Sequence, residues 1–455
     1  MKSKRLLTAT FCLLAMFGSI WAQDTTQVAK PAQWTLQSCI DYALKQNITL
    51  KKNKVSAASA RIDVLEAKAA RQPSLSFSTD QSLANRPFQQ SSSTVNGSDV
   101  ISTSSKTTYT GNYGLNASMT LYNGGKIKKN IELQNLNSKI ADLTLRTSEK
   151  NIEESITKLY VQILYATETI KTDKNSLSLS KKELERAKQM FKVGTLNKAD
   201  VAQIESQVST DNYQLVTDQS TLADYKLQLK QLLELDGDEE MDIQMPELNN
   251  LNVLTALPTK SDVFMAALTN RPEIESKKVS INASDLNIKI AKAAYLPTIS
   301  LTGGLSTYNM SGSDDGFFKQ LKNAWSNTIG VSVSVPILDK RSTKSAIQRA
   351  QLAKQTSELD LQDEQKTLYK TIEGFWLDAN SAQQRYVAAK EKVNSSQTSF
   401  ELIQEQFRLG LKNIIELLTQ KNTLSSSQRE MLQAKYMALL NTQLLKYYQG
   451  DKFAL

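Results

Sequence analysis

The sequence predicts an α + β membrane protein built from two copies of one unit, each carrying a β-hairpin on rod-length helices. Three observations predict it: a repeat at long offset, stretches of helical periodicity without breakers, and segments of strict apolar–polar alternation. Ala43-Leu44, Lys54-Val55-Ser56, Ala67-Lys68-Ala69-Ala70, Pro73 and Ser76 recur 224 positions later as Ala267-Leu268, Lys278-Val279-Ser280, Ala291-Lys292-Ala293-Ala294, Pro297 and Ser300. Gly114, Ile131, Phe191, Gly194 and Asn197 recur 216 positions later as Gly330, Ile347, Phe407, Gly410 and Asn413. The first copy therefore holds eight extra residues between Pro73 and Gly114. A period this long is a duplicated half-molecule rather than a solenoid, and each half must repeat the fold of the other.

Lys2, Lys4 and Arg5 precede an apolar run from Leu6 to Ile20 that ends at Trp21-Ala22-Gln23. This is the pattern of a secretory signal peptide over residues 1–22, too short and too soon followed by polar sequence for a retained membrane helix. No cysteine stands at the junction to carry a lipid. The remainder divides into a first repeat, 23–250, and a second, 251–455. No later stretch approaches the roughly 18 consecutive apolar residues of a spanning helix. An exported chain of this kind is periplasmic, secreted, or a β-barrel of the outer membrane.

Composition excludes several classes. The formal charge is +9, and removing Lys2, Lys4 and Arg5 leaves +6 with no clustered basic and aromatic surface, so no nucleic-acid partner is expected. The chain has no histidine, which removes the commonest general base and metal ligand. Zinc and haem sites are therefore not expected. Cys12 lies in the leader, so Cys39 is alone and reads as packing on the apolar face Leu36, Cys39, Ile40, Ala43.

Proline is absent from 88 to 245 and from 337 to 455, and between Lys126 and Asp236 the only glycine is Gly194. Long helices tolerate such stretches and few other structures do. Leu136, Ile140, Leu143 and Ile152, Ile156, Leu159, Ile163 keep four-three spacing, as in a coiled coil. Gly125 to Gly194 and Arg341 to Gly410 each span 69 positions, roughly 100 Å of helix. The shorter patterns Leu36 to Arg71 and Asp200 to Leu235 are expected to stack end to end beside the first rod.

Tyr113, Leu115, Ala117, Met119 and Leu121 alternate with polar residues, and so do Val331, Val333, Val335 and Ile337. Their partners start after the repeated prolines, at Leu75 and Phe77 and at Ile299 and Leu301. Such alternation fits a tilted membrane strand or a half-buried hairpin of a soluble domain; the leader, duplication and rod-length helices favour the membrane. The polar connections Ser91 to Thr108 and Ser311 to Gly316 would face outside the cell. Tyr109, Tyr113 and Tyr122 read as interfacial girdle residues or as core. The acidic segment Leu235 to Leu257 lacks calcium-loop spacing and reads as a solvated linker.

Four strands cannot close a barrel in lipid, since the smallest need about eight. Two chains would give a filled barrel of eight strands, three a water-filled barrel of twelve, and a conduit favours three. The chain resembles the TolC-like outer-membrane efflux protein family over its whole mature length. The resemblance rests on Thr35-Leu36…Ala43-Leu44…Asn47, Pro73-Ser74-Leu75-Ser76, the corner Leu121-Tyr122-Asn123-Gly124-Gly125 and the turn Phe191-Lys192-Val193-Gly194-Thr195. Asn270-Arg271-Pro272, Leu296-Pro297-Thr298-Ile299-Ser300, Val335-Pro336-Ile337-Leu338-Asp339-Lys340 and Phe407-Arg408-Leu409-Gly410 repeat them.

The resemblance implies a homotrimer, with a 12-stranded β-barrel in the outer membrane and lipid around it, continuing into a periplasmic α-helical coiled-coil barrel. It implies docking to a periplasmic adaptor (membrane fusion) protein and to an inner-membrane transporter that supplies the energy. By the resemblance the chain would catalyse nothing and use no metal or cofactor. It would be a passive exit duct for small toxic compounds or drugs, or for a protein substrate of type I secretion; a periplasmic coiled-coil scaffold without a pore is the alternative of another class. By the same resemblance the adaptor docks at the helical tips Val193, Gly194, Leu196 and Leu409, Gly410, Leu411. The family's acidic periplasmic gate maps to Glu416 and Thr419, so one of its two acids is missing here; Asp200 matches Glu416 in the first copy. Glu416 is a gate carboxylate or an ordinary surface one.

Overall fold

The computed structural model describes residues 31, 33–88, 92–96, 99–103, 106–245 and 253–453. The expected leader and the boundary between the repeats at 250/251 lie outside them. The first repeat runs α1 (Leu36–Gln46), α2 (Ile48–Ala69), β1 (Ser74–Asn85), β2 (Ser92–Asn96), β3 (Asp99–Thr103), β4 (Thr107–Asn123), α3 (Lys126–Lys192) and α4 (Lys198–Leu233). The second runs α5 (Lys260–Asn270), α6 (Pro272–Ala293), β5 (Thr298–Met310), α7 (Phe317–Asn323), β6 (Ser326–Ser334), α8 (Ser342–Arg408) and α9 (Ile414–Gln449).

The duplication is kept to the residue. Both long helices have 67 residues, both return helices 36, and α2 and α6 both 22. At 1.5 Å per residue α3 and α8 are about 100 Å long. Beside the sheet the helices lie in the order α2, α3, α6, α8; towards the far tip the order is α4, α3, α9, α8. The expected helix from Leu36 to Arg71 is interrupted at Asn47. Its Oδ1 accepts from Thr49 N at 2.9 Å, capping α2, while its Nδ2 donates to Leu232 O at 2.9 Å. Ile48 N donates to Glu234 Oε1 at 2.9 Å, so α4 ends head-on against the start of α2, as the end-to-end stacking requires. Pro272, at the first turn of α6, makes the corresponding break in the second copy.

The main core is a belt at mid-height, where Ile156, Leu164, Leu229, Leu233, Ile274, Ile372 and Leu444 are fully buried. Cys39 belongs to it; burial first of all pushes its thiol up to about 12, as suits an inert packing residue. A smaller cluster near the tip joins both copies through Ala187, Ile204, Phe400, Phe407, Ile414 and Leu417.

The four long strands form one antiparallel sheet in the order β1-β4-β5-β6. The two hairpins therefore sit side by side, joined by β4 and β5, and among the described residues β1 and β6 are open edges. Phe77 pairs with Leu115, Leu115 with Leu305, and Leu301 with Val331, which collects the apolar residues on one face. Ser78 opposite Gly114 and Thr302 opposite Gly330 belong to the polar face. Phe77 is 67 % exposed and Ile329 81 %, a large uncovered apolar surface. Among the described residues no helix is long and apolar enough to cross a membrane.

Three details differ from the sequence reading. The alternation through Val335 and Ile337 does not continue as strand, because β6 ends at Ser334. Its partner β5 starts at Thr298, and Pro297 and Pro336, which flank the end of the ladder, have no N–H to extend it. The polar connection of the second copy is followed by the short helix α7, and the eight extra residues of the first copy lie in a segment containing the β2–β3 hairpin. At the strand-to-helix corner Gly124 and Gly125 have φ of +67° and +75°. A side chain on Gly124 would press on Ala293 O at 2.8 Å, so the corner needs glycine on both counts.

Candidate functional site

The tip of each helical hairpin is a short turn. At φ +76°, Gly194 donates its N–H to Phe191 O at 3.0 Å, and Thr195 N donates to Met190 O at 3.0 Å. Gly410 at φ +73° and Leu411 repeat these bonds to Phe407 O at 3.0 Å and Gln406 O at 2.9 Å. This is a Schellman ending, which only glycine adopts without strain. Asn197 and Asn413 then cap α4 and α9 by accepting from Asp200 N at 2.8 Å and Glu416 N at 2.9 Å. Val193, Leu409 and Leu411 project into solvent, whereas Leu196 packs against the tip cluster. The copies differ in one aromatic: Phe407 is buried at 4 % exposure, Phe191 exposed at 46 %.

Glu416 has a local role the sequence reading did not assign. Its Oε2 accepts from Asn413 N at 3.2 Å, closing a capping box, and its Oε1 accepts from Lys412 Nζ at 2.6 Å. The Lys412 bond first, then the Asn413 amide, hold its carboxyl below the usual carboxylate range. Asp200, one methylene shorter, forms no such box, and Thr419 is exposed three residues along α9.

Above the tip cluster the two hairpins meet across a polar seam. Arg429 on α9 bridges Asp173 on α3 and, at 3.0 Å, Asp218 on α4. Lys421 on α9 binds Asp211 on α4, which also accepts from Ser180 Oγ on α3. Gln404 Nε2 donates to Glu183 Oε1 at 2.9 Å and Asn422 Nδ2 to Gln207 Oε1 at 3.1 Å. Asp173 is only 2 % exposed and its Oδ2 has no hydrogen-bond donor among the described residues. Burial chiefly, and Asp218 beside it, push its carboxyl up to about 7. At Asp218 burial also opposes the charge, but the hydrogen bonds from Asp173 and Gln214 and the Arg429 charge outweigh it and lower its carboxyl.

The seam had a signal in the sequence. Ile163, Ala166, Ile170, Asp173, Leu177 and Ser180 keep three-four spacing along α3, so Asp173 occupies a core position of a heptad, as Lys421 does among Ile414, Leu417 and Leu424 on α9. At the far end of the molecule, Tyr109 and Tyr113 lie on the apolar face near the outer end of β4 and Tyr122 at its inner end. Tyr113 meets Phe317 edge-on at 6.5 Å. Among the described residues no cluster of three or more histidine, cysteine or acidic side chains could hold a metal ion.

An amphipathic four-stranded sheet with open edges, continued by helical hairpins whose long helices run about 100 Å, defines one wall segment of a membrane-anchored tube. The chain belongs to the outer membrane efflux protein family, which matches residues 39–234 and 263–450. It is 24 % identical over 416 residues to toxin and drug export protein A of Aggregatibacter actinomycetemcomitans, covering 91 % of this chain and 85 % of that one. It is 25 % identical over 333 residues to outer membrane protein TolC of Escherichia coli, covering 70 % and 65 %. A crystal structure of CusC superposes with a TM-score of 0.78 at 19 % identity, covering 93 % of this chain and 95 % of CusC.

Proposed function

We propose that three copies of this chain close a tube, the outer-membrane exit duct of a tripartite efflux pump, passing small toxic compounds or drugs to the exterior. The observation that carries the reading is the four-stranded sheet with an apolar face and two open edges, continuous with the helical rods. Open edges in lipid leave backbone groups unpaired at several kcal/mol each, so strands of other copies must cover them. Three copies give twelve strands and a water-filled lumen. The helical flanks left free in the chain support the same closure: Ile48, Val55 and Ile62 on α2, and Leu352 and Leu359 on α8, are exposed at seven-residue spacing. A pore-free periplasmic scaffold has no use for the apolar face of the sheet. The Aggregatibacter relative is called toxin and drug export protein A, which favours toxin export as a second cargo class. Detergent extraction, mass measurement and single-channel recording test the reading: a trimer of stable conductance is expected, and a water-soluble product without conductance would overturn it.

The tips would meet the periplasmic adaptor, with Val193, Leu409 and Leu411 as the exposed apolar contacts around Gly194 and Gly410, and an inner-membrane transporter would drive flow. Glu416 primarily fixes the start of α9. Lys412 supplies each Glu416 with a compensating charge at 2.6 Å, so three copies focus little negative potential at the mouth. Removing both charges together, Glu416→Gln with Lys412→Gln, is therefore expected to leave cation selectivity in planar bilayers nearly unchanged. A marked loss of selectivity would make Glu416 a gate residue.

A further inference from the structure

The two halves diverge at the polar seam, and in a correlated way. At offset 216, Asp173 and Asp218, which hold Arg429, correspond to Ala389 and Ala434, and Arg429 itself corresponds to Tyr213. The acidic socket thus has an alanine-walled counterpart on α8 and α9. That counterpart is an open cavity of about 450 Å³ in the single chain, walled by Ala382, Ala389, Ala434 and Met437 and also lined by the charged Asp378, Arg385 and the Lys392–Glu430 ion pair. Tyr213, the counterpart of the plug, stands on α4, 74 % exposed.

Within the chain, hairpin one offers the socket on α3 and α4, and hairpin two inserts Arg429 from α9. Beyond hairpin two the next element around a closed ring is hairpin one of another copy. Equal helix lengths in both halves keep α4 of that copy at the height α9 occupies against hairpin one. We propose that Tyr213 of a neighbouring copy fills the alanine-walled cavity between α8 and α9, the joint between copies being an apolar version of the charged joint within each. Socket and plug have lost charge together: two carboxylates have become methyls where a guanidinium has become a phenol. The flanks carrying both parts, α4 and α8, are those left free in the single chain. The proposal rests on the trimeric reading and adds the residue and the pocket that hold the copies together.

The test uses the full-length protein in detergent, with Cys12→Ser and Cys39→Ser as background. Tyr213→Cys with Ala434→Cys, treated with a short bis-maleimide, is expected to give covalent dimers and trimers on denaturing gels, and either cysteine alone none. Tyr213→Ala is expected to raise the trimer's dissociation constant about tenfold or more, as loss of a buried aromatic anchor does, with Tyr213→Phe close to wild type. Tyr213→Arg should weaken the trimer, and adding Ala389→Asp and Ala434→Asp should restore it by rebuilding the intrachain joint at the new place. An intact wild-type trimer with no cross-link, and Tyr213→Ala as tight as wild type, would overturn the docking while leaving the duct standing. A monomeric wild-type protein would end both.

Discussion

Replacing Arg429 with methionine is expected to destabilise the helical portion by about 3–5 kcal/mol, the cost of stranding buried charge. The arginine spans three helices, and Asp173, the carboxyl it binds on α3, is almost wholly buried. Guanidinium unfolding of the purified protein at pH 8, followed by circular dichroism, measures the loss. Asp173→Asn is the informative companion, since the amide resembles the protonated carboxyl. The folded carboxyl, with its pKa near 7, keeps a proton that the unfolded one releases near 4. Its contribution to stability is therefore complete below about pH 4, falls as pH rises towards 7, and is flat above. Asp218, lowered, acts in the opposite sense, and its contribution is lost only as pH falls below about 4. Wild type should lose stability between pH 4 and 7, and Asp173→Asn should lack that slope. An unchanged slope in the asparagine variant would show that another group titrates.

Gly410→Val is expected to abolish efflux while trimers still assemble. A Cβ at Gly410 meets nothing within 4 Å, so the cost is conformational: about 1–2 kcal/mol for a left-handed residue, and more for a β-branched one. That is small for the whole rod, but it falls on the turn aiming Leu409 and Leu411 at the proposed adaptor. Gly410→Ala should be intermediate. Drug susceptibility of cells carrying each variant, beside trimer yield from their membranes, separates docking from assembly. Wild-type tolerance in Gly410→Val would remove the turn from the docking surface.

Both rods were legible in the sequence because a proline-free run of helical period, broken only by Gly374 in the second, can hardly be anything else, and the tips because Gly194 and Gly410 stand at the ends of such runs. The sheet face was legible from its period of two. Asn47 was not, since an asparagine within a helical rhythm looks like any polar position until its Nδ2 finds Leu232 O in a helix 185 residues away. The seven residues of α7 are too few to show a period. The polar seam was missed because Asp173 and Lys421 sit at heptad core positions that favour apolar residues, and Arg429 reads as a surface charge when each copy is taken alone. Their meaning lies in the difference between copies, where alanine, glutamate and tyrosine stand in the matching places. Glu416 was legible as a carboxylate near the tip, but its cap with Asn413 depends on side-chain geometry.

The unpaired edges of β1 and β6 also bear on how the chain is made. A lone protomer cannot enter the bilayer with two rows of unpaired backbone groups. Nor can it wait safely in water, where the same edges, beside an uncovered apolar face, are templates for indiscriminate strand addition. Insertion and assembly are therefore coupled, and a newly exported copy must keep these edges from other strands until its partners arrive.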